Sequence, residues 1–213
     1  MLLDVDGTLV DSNDAHAHAW EEAFAAHGRA IPYATIRGLV GMGGDNLIET
    51  LTGLPPSDLA HREISESRGE RFRSHWLHQV RPFAGARELV LRLRGEAYLY
   101  AIASSAKSQE LEPLLEIAGI NDLCDVRVTA SDTEHSKPDP DIVEAALSRL
   151  GIVRAQAVLI GDTPYDVEAC RQASVDATGV TSGGFALADL RGAVAVFAGA
   201  ADLLARWQSS PLA

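Results

Sequence analysis

Lysine is almost missing from this chain. Of its 18 basic residues, 16 are arginine and only Lys107 and Lys137 are lysine, so arginine is the habit wherever surface charge alone is wanted. Lysine is a compact point charge on a flexible stem, whereas arginine is a planar fork, and a single pocket oxygen suits the former. The two exceptions are therefore candidates for a special role. Cysteine is scarce as well: Cys124 and Cys170 have neither metal-ligand spacing nor the density of a disulfide framework, and read as buried free thiols. Excess positive charge is absent, since 30 acidic residues against 18 basic ones leave a formal charge of −12, which argues against general affinity for nucleic acid or an anionic membrane. Any anionic ligand must be captured by local charges or a metal. No apolar run approaches the roughly 20 residues needed to cross a bilayer, and the N-terminus lacks the basic start and cleavage region of a secretory signal, so the expected location is the cytoplasm. Repeats and low-complexity segments are absent too.

What is present suffices for one sizeable core with a smaller inserted domain: 213 residues, 46% of them hydrophobic. Apolar runs of four to eight residues occur in MLLDV (1–5), AYLYAIAS (97–104), CDVRVTA (124–130), AQAVLIGD (155–162), VDATGVTS (175–182) and AVAVFAG (193–199). Between them, residues 82–95, 108–119, 139–151 and 164–174 space apolar side chains at three and four, and several of these segments end at glycine, a usual helix stop. Apolar strands alternating with helices predict an α/β fold: a Rossmann-like parallel sheet covered on both faces.

One region breaks the rhythm. From about Asn13 to Val80 the residues read as helices, with the glycine-rich GLVGMGGDNL between them. The expected organisation is a core formed by residues 1–12 and 82–213, interrupted by a helical insert over 13–81, with the sheet resuming at RPFAGA. An insert directly after the first strand would sit over the carboxyl ends of the strands, where ligands bind in open α/β sheets.

The chemistry-bearing residues fall on those same ends. Asp4 and Asp6 follow the first strand, Ser104 and Ser105 the second, Lys137 lies in the loop HSKPDPD, and Asp162 and Asp166 follow another strand in LIGDTPYD. Parallel strands bring such ends to one edge of the sheet. Crowded carboxylates repel unless something cationic lies between them, and hard oxygen donors with few nitrogens or sulfurs select Mg2+. Asp4, Asp162 and Asp166 are the candidate ligands. An aspartate beside such an ion can attack phosphorus, while a second carboxylate two residues on protonates the leaving oxygen and later activates water; Asp4 and Asp6 have that spacing. Ser104 can donate to a nonbridging oxygen, and Lys137 can offset charge on the nucleophile and the transferring group.

The four segments DVDGTLVDS, IASS, SKPDPD and GDTPYD, in that order, resemble the four motifs of the haloacid dehalogenase (HAD) superfamily. The helical insert resembles the C1 cap of its phosphoglycolate phosphatase and β-phosphoglucomutase-like members. That resemblance spans essentially the whole chain. It implies a HAD-like fold with Asp4 as nucleophile, Asp6 as acid/base that also offers its backbone carbonyl to the metal, and Thr8 in the first loop. It further implies Ser104 as the phosphate-binding serine, Lys137 as the stabilising cation, and Asp162 and Asp166 as the acidic fourth motif. His16 and Lys107 are placed by it close to phosphate or substrate. Only three residues precede Asp4, a first strand shorter than is usual in that family, which leaves room for native residues ahead of Met1.

Several residues carry two readings. Asp11 reads as a helix-entry residue, Ser12 and Asn13 as caps, Ser105 as a substrate contact or a helix start, and His16 as a phosphate contact or a polar face residue. GLVGMGG lacks the lysine and hydroxyl of a P-loop and the spacing of the dinucleotide fingerprint. It is expected instead to be a flexible loop facing the site, with Gly41, Gly43 and Gly44 permitting close approach of a small ligand. The expected function is Mg2+-dependent hydrolysis of a small phosphorylated metabolite through an aspartyl-phosphate, by a monomer or homodimer. The alternatives are a sugar phosphomutase, a phosphate-ligand binding protein that kept the fold, and a metal-free dehalogenase, against which Asp6 argues.

Overall fold

The computed structural model describes residues 1–212. Its central sheet has six parallel strands in the order β5-β4-β1-β6-β7-β8. These are β1 (Leu2–Leu3), β4 (Ala101–Ala103), β5 (Arg127–Val128), β6 (Val158–Gly161), β7 (Asp176–Val180) and β8 (Ala195–Phe197). Each lies within an apolar run predicted to be a strand. The remaining two strands, β2 (Val10–Asp11) and β3 (Arg81–Pro82), form a separate antiparallel ribbon. The helices are α1 (Asn13–Ala26), α2 (Tyr33–Arg37), α3 (Gly44–Thr52), α4 (Leu59–Arg71), α5 (Ala86–Gly95), α6 (Ser108–Ile117), α7 (Asp141–Leu150), α8 (Pro164–Ala173) and α9 (Ala200–Ala205).

Register explains why two residues of β1 suffice. Leu2 pairs with Ala101 and Leu159, and Leu3 with Ile102 and Ile160. Successive side chains on a strand point to opposite faces. Leu2, Ala101 and Leu159 accordingly join one apolar cluster, with Val143, Leu147 and Cys170, while Leu3, Ile102 and Ile160 join another, with Leu89, Leu93 and Leu114. The sheet is thus buried on both sides, as parallel sheets are. A third cluster, formed by Trp20, Phe24, Ile36, Leu47, Ile48, Ile64 and two smaller neighbours, lies wholly within the helical segment. Both cysteines are free and buried, and burial raises their thiols to about 11 at Cys124 and about 12 at Cys170.

The structure corrects one expectation about the sheet. RPFAGA does not rejoin it: Arg81 and Pro82 pair with Asp11 and Val10 instead, and the next element is α5. The cause lies just after β1, where the amides of Thr8, Leu9 and Val10 all turn back onto the Val5 carbonyl and Gly7 takes a φ of +74°, a conformation glycine adopts without steric cost. This tight loop swings the chain out of the sheet plane, and the returning chain meets it there.

Candidate active site

Asp4 stands at the end of β1 and is almost fully buried. Its Oδ1 accepts from Lys137 Nζ at 2.7 Å and its Oδ2 from Thr8 Oγ1 at 3.2 Å. Thr8 Oγ1 also lies 3.3 Å from Asp162 Oδ1. Asp162, at the end of β6, and Asp166, in the first turn of α8, complete a cluster in which one carboxylate oxygen from each of Asp4, Asp162 and Asp166 lies within 4.8 Å of the others. Asp166 is held there by the helix it begins: its Oδ2 accepts from the Thr163 amide at 3.1 Å and hydroxyl at 2.6 Å, while Thr163 Oγ1 accepts from the Asp166 amide, a reciprocal helix cap.

The cluster is short of positive charge. Lys137 supplies one ammonium, donating to Asp4 and to the Ala103 carbonyl at 3.0 Å. It also pairs with Asp166 Oδ1 at 2.6 Å, so one cation serves both carboxylates. Burial by itself would lower the Lys137 pKa, but the carboxylates of Asp166 and Asp4 outweigh it and hold the ammonium protonated. The carboxylates move the other way. Burial, with repulsion from Asp166 and Asp6 overcoming the attraction of Lys137, raises Asp4 to about 7; burial, with repulsion from Asp4 and Asp166, raises Asp162 well above the ordinary range. An all-oxygen donor set, three carboxylates within 4.8 Å of one another, and this deficit of positive charge fit a hard divalent cation.

Asp6 is separate. Its Oδ1 accepts from Ser12 Oγ and lies 2.8 Å from His16 Nε2. Burial would raise its pKa, but His16, the Ser12 bond and Arg68 together bring it below the ordinary value. His16 stacks on Phe72 with ring centroids 4.0 Å apart, which fixes the imidazole against Asp6. The sequence offers His16 as a phosphate contact or a polar face residue; its ring instead pairs with Asp6 in the wall of the cavity.

Asp4, Asp6, His16, Gly44 and Ser105 line one cavity of about 50 Å3, together with Arg68 and others. Ser104 is fully buried behind it, its Oγ accepting from the Ala106 amide at 3.1 Å, which leaves its hydroxyl hydrogen to donate. Ser105 Oγ is buried without a partner. Lys107 lies farther out, donating to Ser65 Oγ at 3.1 Å, and lines a neighbouring cavity with Gly44 and Ser105. The glycine loop is less open than expected. A Cβ at Gly43 would fall 1.9 Å from Ser136 Cβ, and one at Gly41 2.4 Å from Thr163 Cγ2, so close packing against protein already uses these positions; Gly44 begins α3 and faces Trp20.

Sequence reasoning missed four contributors. Ser12 and Asn13 read as caps, yet no side chain caps α1. Ser12 serves Asp6, and Asn13 Nδ2 donates to Asp162 Oδ2 at 2.8 Å and to the Gly183 carbonyl at 3.0 Å. The signal available was position alone, immediately after the first motif. Arg68 and Glu110, paired at 2.6 Å, come from helices on either side of the cavity and carry no distinguishing pattern in sequence. Asp11 pairs in the ribbon rather than entering a helix. Among the described residues no helix is long and apolar enough to cross a membrane.

Comparison with known proteins bears on the family. The family model described as haloacid dehalogenase-like hydrolase matches residues 1–180. The plasmid phosphoglycolate phosphatase of Cupriavidus necator is 31% identical over 182 residues, covering 82% of this chain and 77% of that protein. The fructose-1-phosphate phosphatase YqaB of Escherichia coli is 27% identical over 180 residues, covering 84% and 95%. The crystal structure of a hydrolase from Pseudomonas syringae superposes with a TM-score of 0.91 at 29% identity, over 98% of this chain and 97% of that one. The ordered motifs, the strand-end carboxylates and these matches place the chain in the haloacid dehalogenase-like hydrolase family.

Proposed function

We propose that this protein is a Mg2+-dependent phosphatase that hydrolyses small phosphorylated metabolites through a phosphoryl-Asp4 intermediate. The observation that carries the reading is the buried set of three carboxylates, two of which share one lysine. The phosphatase activities named for its relatives support the reaction type.

Asp4, Asp162 and Asp166 would hold the ion, with the backbone carbonyl of Asp6; when bound, it neutralises charge on the carboxylates and on the phosphoryl group. The remaining chemistry belongs to the chain. Lys137 and Thr8 each hold one Asp4 oxygen, which fixes the carboxylate for in-line attack on phosphorus and spares the reaction the entropy of orienting it. Ser104 donates to a nonbridging oxygen, and Lys137 offsets the charge that develops there. Asp6, steadied by Ser12 and His16, gives a proton to the leaving oxygen as the P–O bond breaks, then takes one from the water that cleaves the acyl phosphate and frees Asp4. An approaching phosphate dianion raises the proton affinity of Asp6, which supplies the acid form when it is needed. Residues 13–81 act as a cap over the site, excluding bulk water during the reaction and opening for product release.

Phosphate release from p-nitrophenyl phosphate should require Mg2+ and stop on chelation. Borohydride added during turnover should convert Asp4 to homoserine, identified by peptide mass. Release that survives chelation, or a trap that finds no label at Asp4, would refute the respective part of the reading.

Asn13 offers a separate test. Its amide holds Asp162 in place, and groups that orient a metal ligand typically contribute about 10–100-fold to metal affinity. Asn13→Ala is expected to raise the Mg2+ concentration for half-maximal activity by about that factor while leaving the maximal rate within about threefold. A Mg2+ titration superimposable on the wild type would remove Asn13 from the site.

A further inference from the structure

The cavity at Asp4 and Asp6 measures about 50 Å3, room for a phosphoryl group and few further atoms. Gly44, Arg68 and Ser105 line both this space and an adjoining one of about 380 Å3. A substrate with its phosphorus at Asp4 therefore extends past Arg68 into the larger space.

An arginine in that position is a natural anchor for a second negative group, but Arg68 is already neutralised. Its Nη1 donates to Glu110 Oε2 at 2.6 Å, and the two side chains are 8% and 1% exposed. The guanidinium lies 4.8 Å from the centroid of the Trp20 ring, and Nη1 lies 3.4 Å from His16 Nδ1. Two polar atoms of the pair, Arg68 Nε and Glu110 Oε1, are buried without a hydrogen-bond partner, the latter 3.9 Å from Arg73 Nη1. The larger cavity adds three acidic side chains, Asp45, Glu66 and Glu134, beside Arg62, Lys107 and the already paired Arg68.

We infer that the site selects phosphate monoesters whose leaving group is neutral and hydroxyl-bearing, a sugar or polyol, and that Glu110 sets this preference by cancelling the charge of Arg68. The inference rests on the phosphatase reading above. A carboxylate or second phosphate brought to Arg68 meets the Glu110 carboxylate in a buried setting, where like charges repel strongly and breaking the existing pair is costly. A hydroxyl meets no such opposition, because it carries no charge and can both donate and accept.

The test compares kcat/KM, with Mg2+, for fructose 1-phosphate and sorbitol 6-phosphate against 2-phosphoglycolate and fructose 1,6-bisphosphate. The wild type should favour the first two by at least about tenfold. Glu110→Gln keeps the shape and a hydrogen-bond acceptor but leaves Arg68 unopposed, and should move the ratio at least about tenfold toward 2-phosphoglycolate. A ratio unchanged in Glu110→Gln, or a wild type that prefers 2-phosphoglycolate, overturns the inference. If the variant does not fold, the wild-type ranking decides. A protein that hydrolyses none of the four overturns the phosphatase reading instead; the same ranking is then measured as dissociation constants by tryptophan fluorescence, with the same outcomes for and against.

Discussion

Asp4→Asn protein is expected to release phosphate at least about 10^4-fold more slowly than the wild type, yet to melt at a higher temperature in metal-free buffer at pH 8. The first effect follows from removing the attacking oxygen while keeping its shape. The second follows from burial. Asp4 titrates near 3.8 when unfolded and near 7 when folded, so between those values the native chain holds a proton that the unfolded chain has released. Stability accordingly falls as the pH rises through that window, by several kcal/mol for a shift of this size. An asparagine carries no such cost, and can still accept from Lys137. The difference in melting temperature between variant and wild type should be largest above pH 7, shrink through pH 6 and 5, and vanish near pH 4. Mg2+ should narrow it at pH 8 by stabilising the wild type more. A variant less stable than the wild type at pH 8 without metal would show that the carboxylate is not under electrostatic load.

Lys137→Met should act in the opposite direction on stability. It removes the one ammonium that Asp4 and Asp166 share, and breaking a buried ion pair by deleting one partner typically costs about 3–5 kcal/mol. Denaturant unfolding at pH 8 should register that loss, and activity should fall by about 10^3-fold or more through the lost stabilisation of transferring charge. Acidification should reduce the stability deficit, because Asp4 and Asp162 already have raised pKa values and protonate readily once the cation is gone. Adding Asp166→Asn to Lys137→Met should restore part of the stability and none of the activity, separating the structural function of the lysine from its chemical one. A singly substituted protein as stable as the wild type at pH 8 would contradict the charge arrangement.

Strand positions were legible because a parallel sheet needs continuous apolar runs, and each of the six runs contains one strand. The convergence of Asp4, Lys137, Asp162 and Asp166 was legible for the same reason: parallel topology puts strand ends together whatever their separation in sequence. The rarity of lysine pointed to Lys137, the buried one, and equally to Lys107, which the structure places at the rim beside Ser65. Illegible features depend on contacts with no periodic signature. The ribbon involves two residues on each side, one of them proline, too few to show alternation. Ser12 and Asn13 sit where a helix cap is expected, and only their tertiary partners reveal that they brace Asp6 and Asp162. Arg68 and Glu110 are separated by 42 residues, and each is one charged residue on a helix rich in them.

Val10 with Pro82, and Asp11 with Arg81, are the rungs through which the chain departs for its helical excursion and comes home. The covalent path in and out runs through this ribbon, while Arg37, Asn46 and Arg68 tie the excursion to Gly183, Ser136 and Glu110 across the cleft. A graft spliced at these four residues keeps the strand tips that carry Asp4, Ser104 and Asp162, and must bring Ser12, Asn13 and His16 with it so that Asp6 and Asp162 keep their braces.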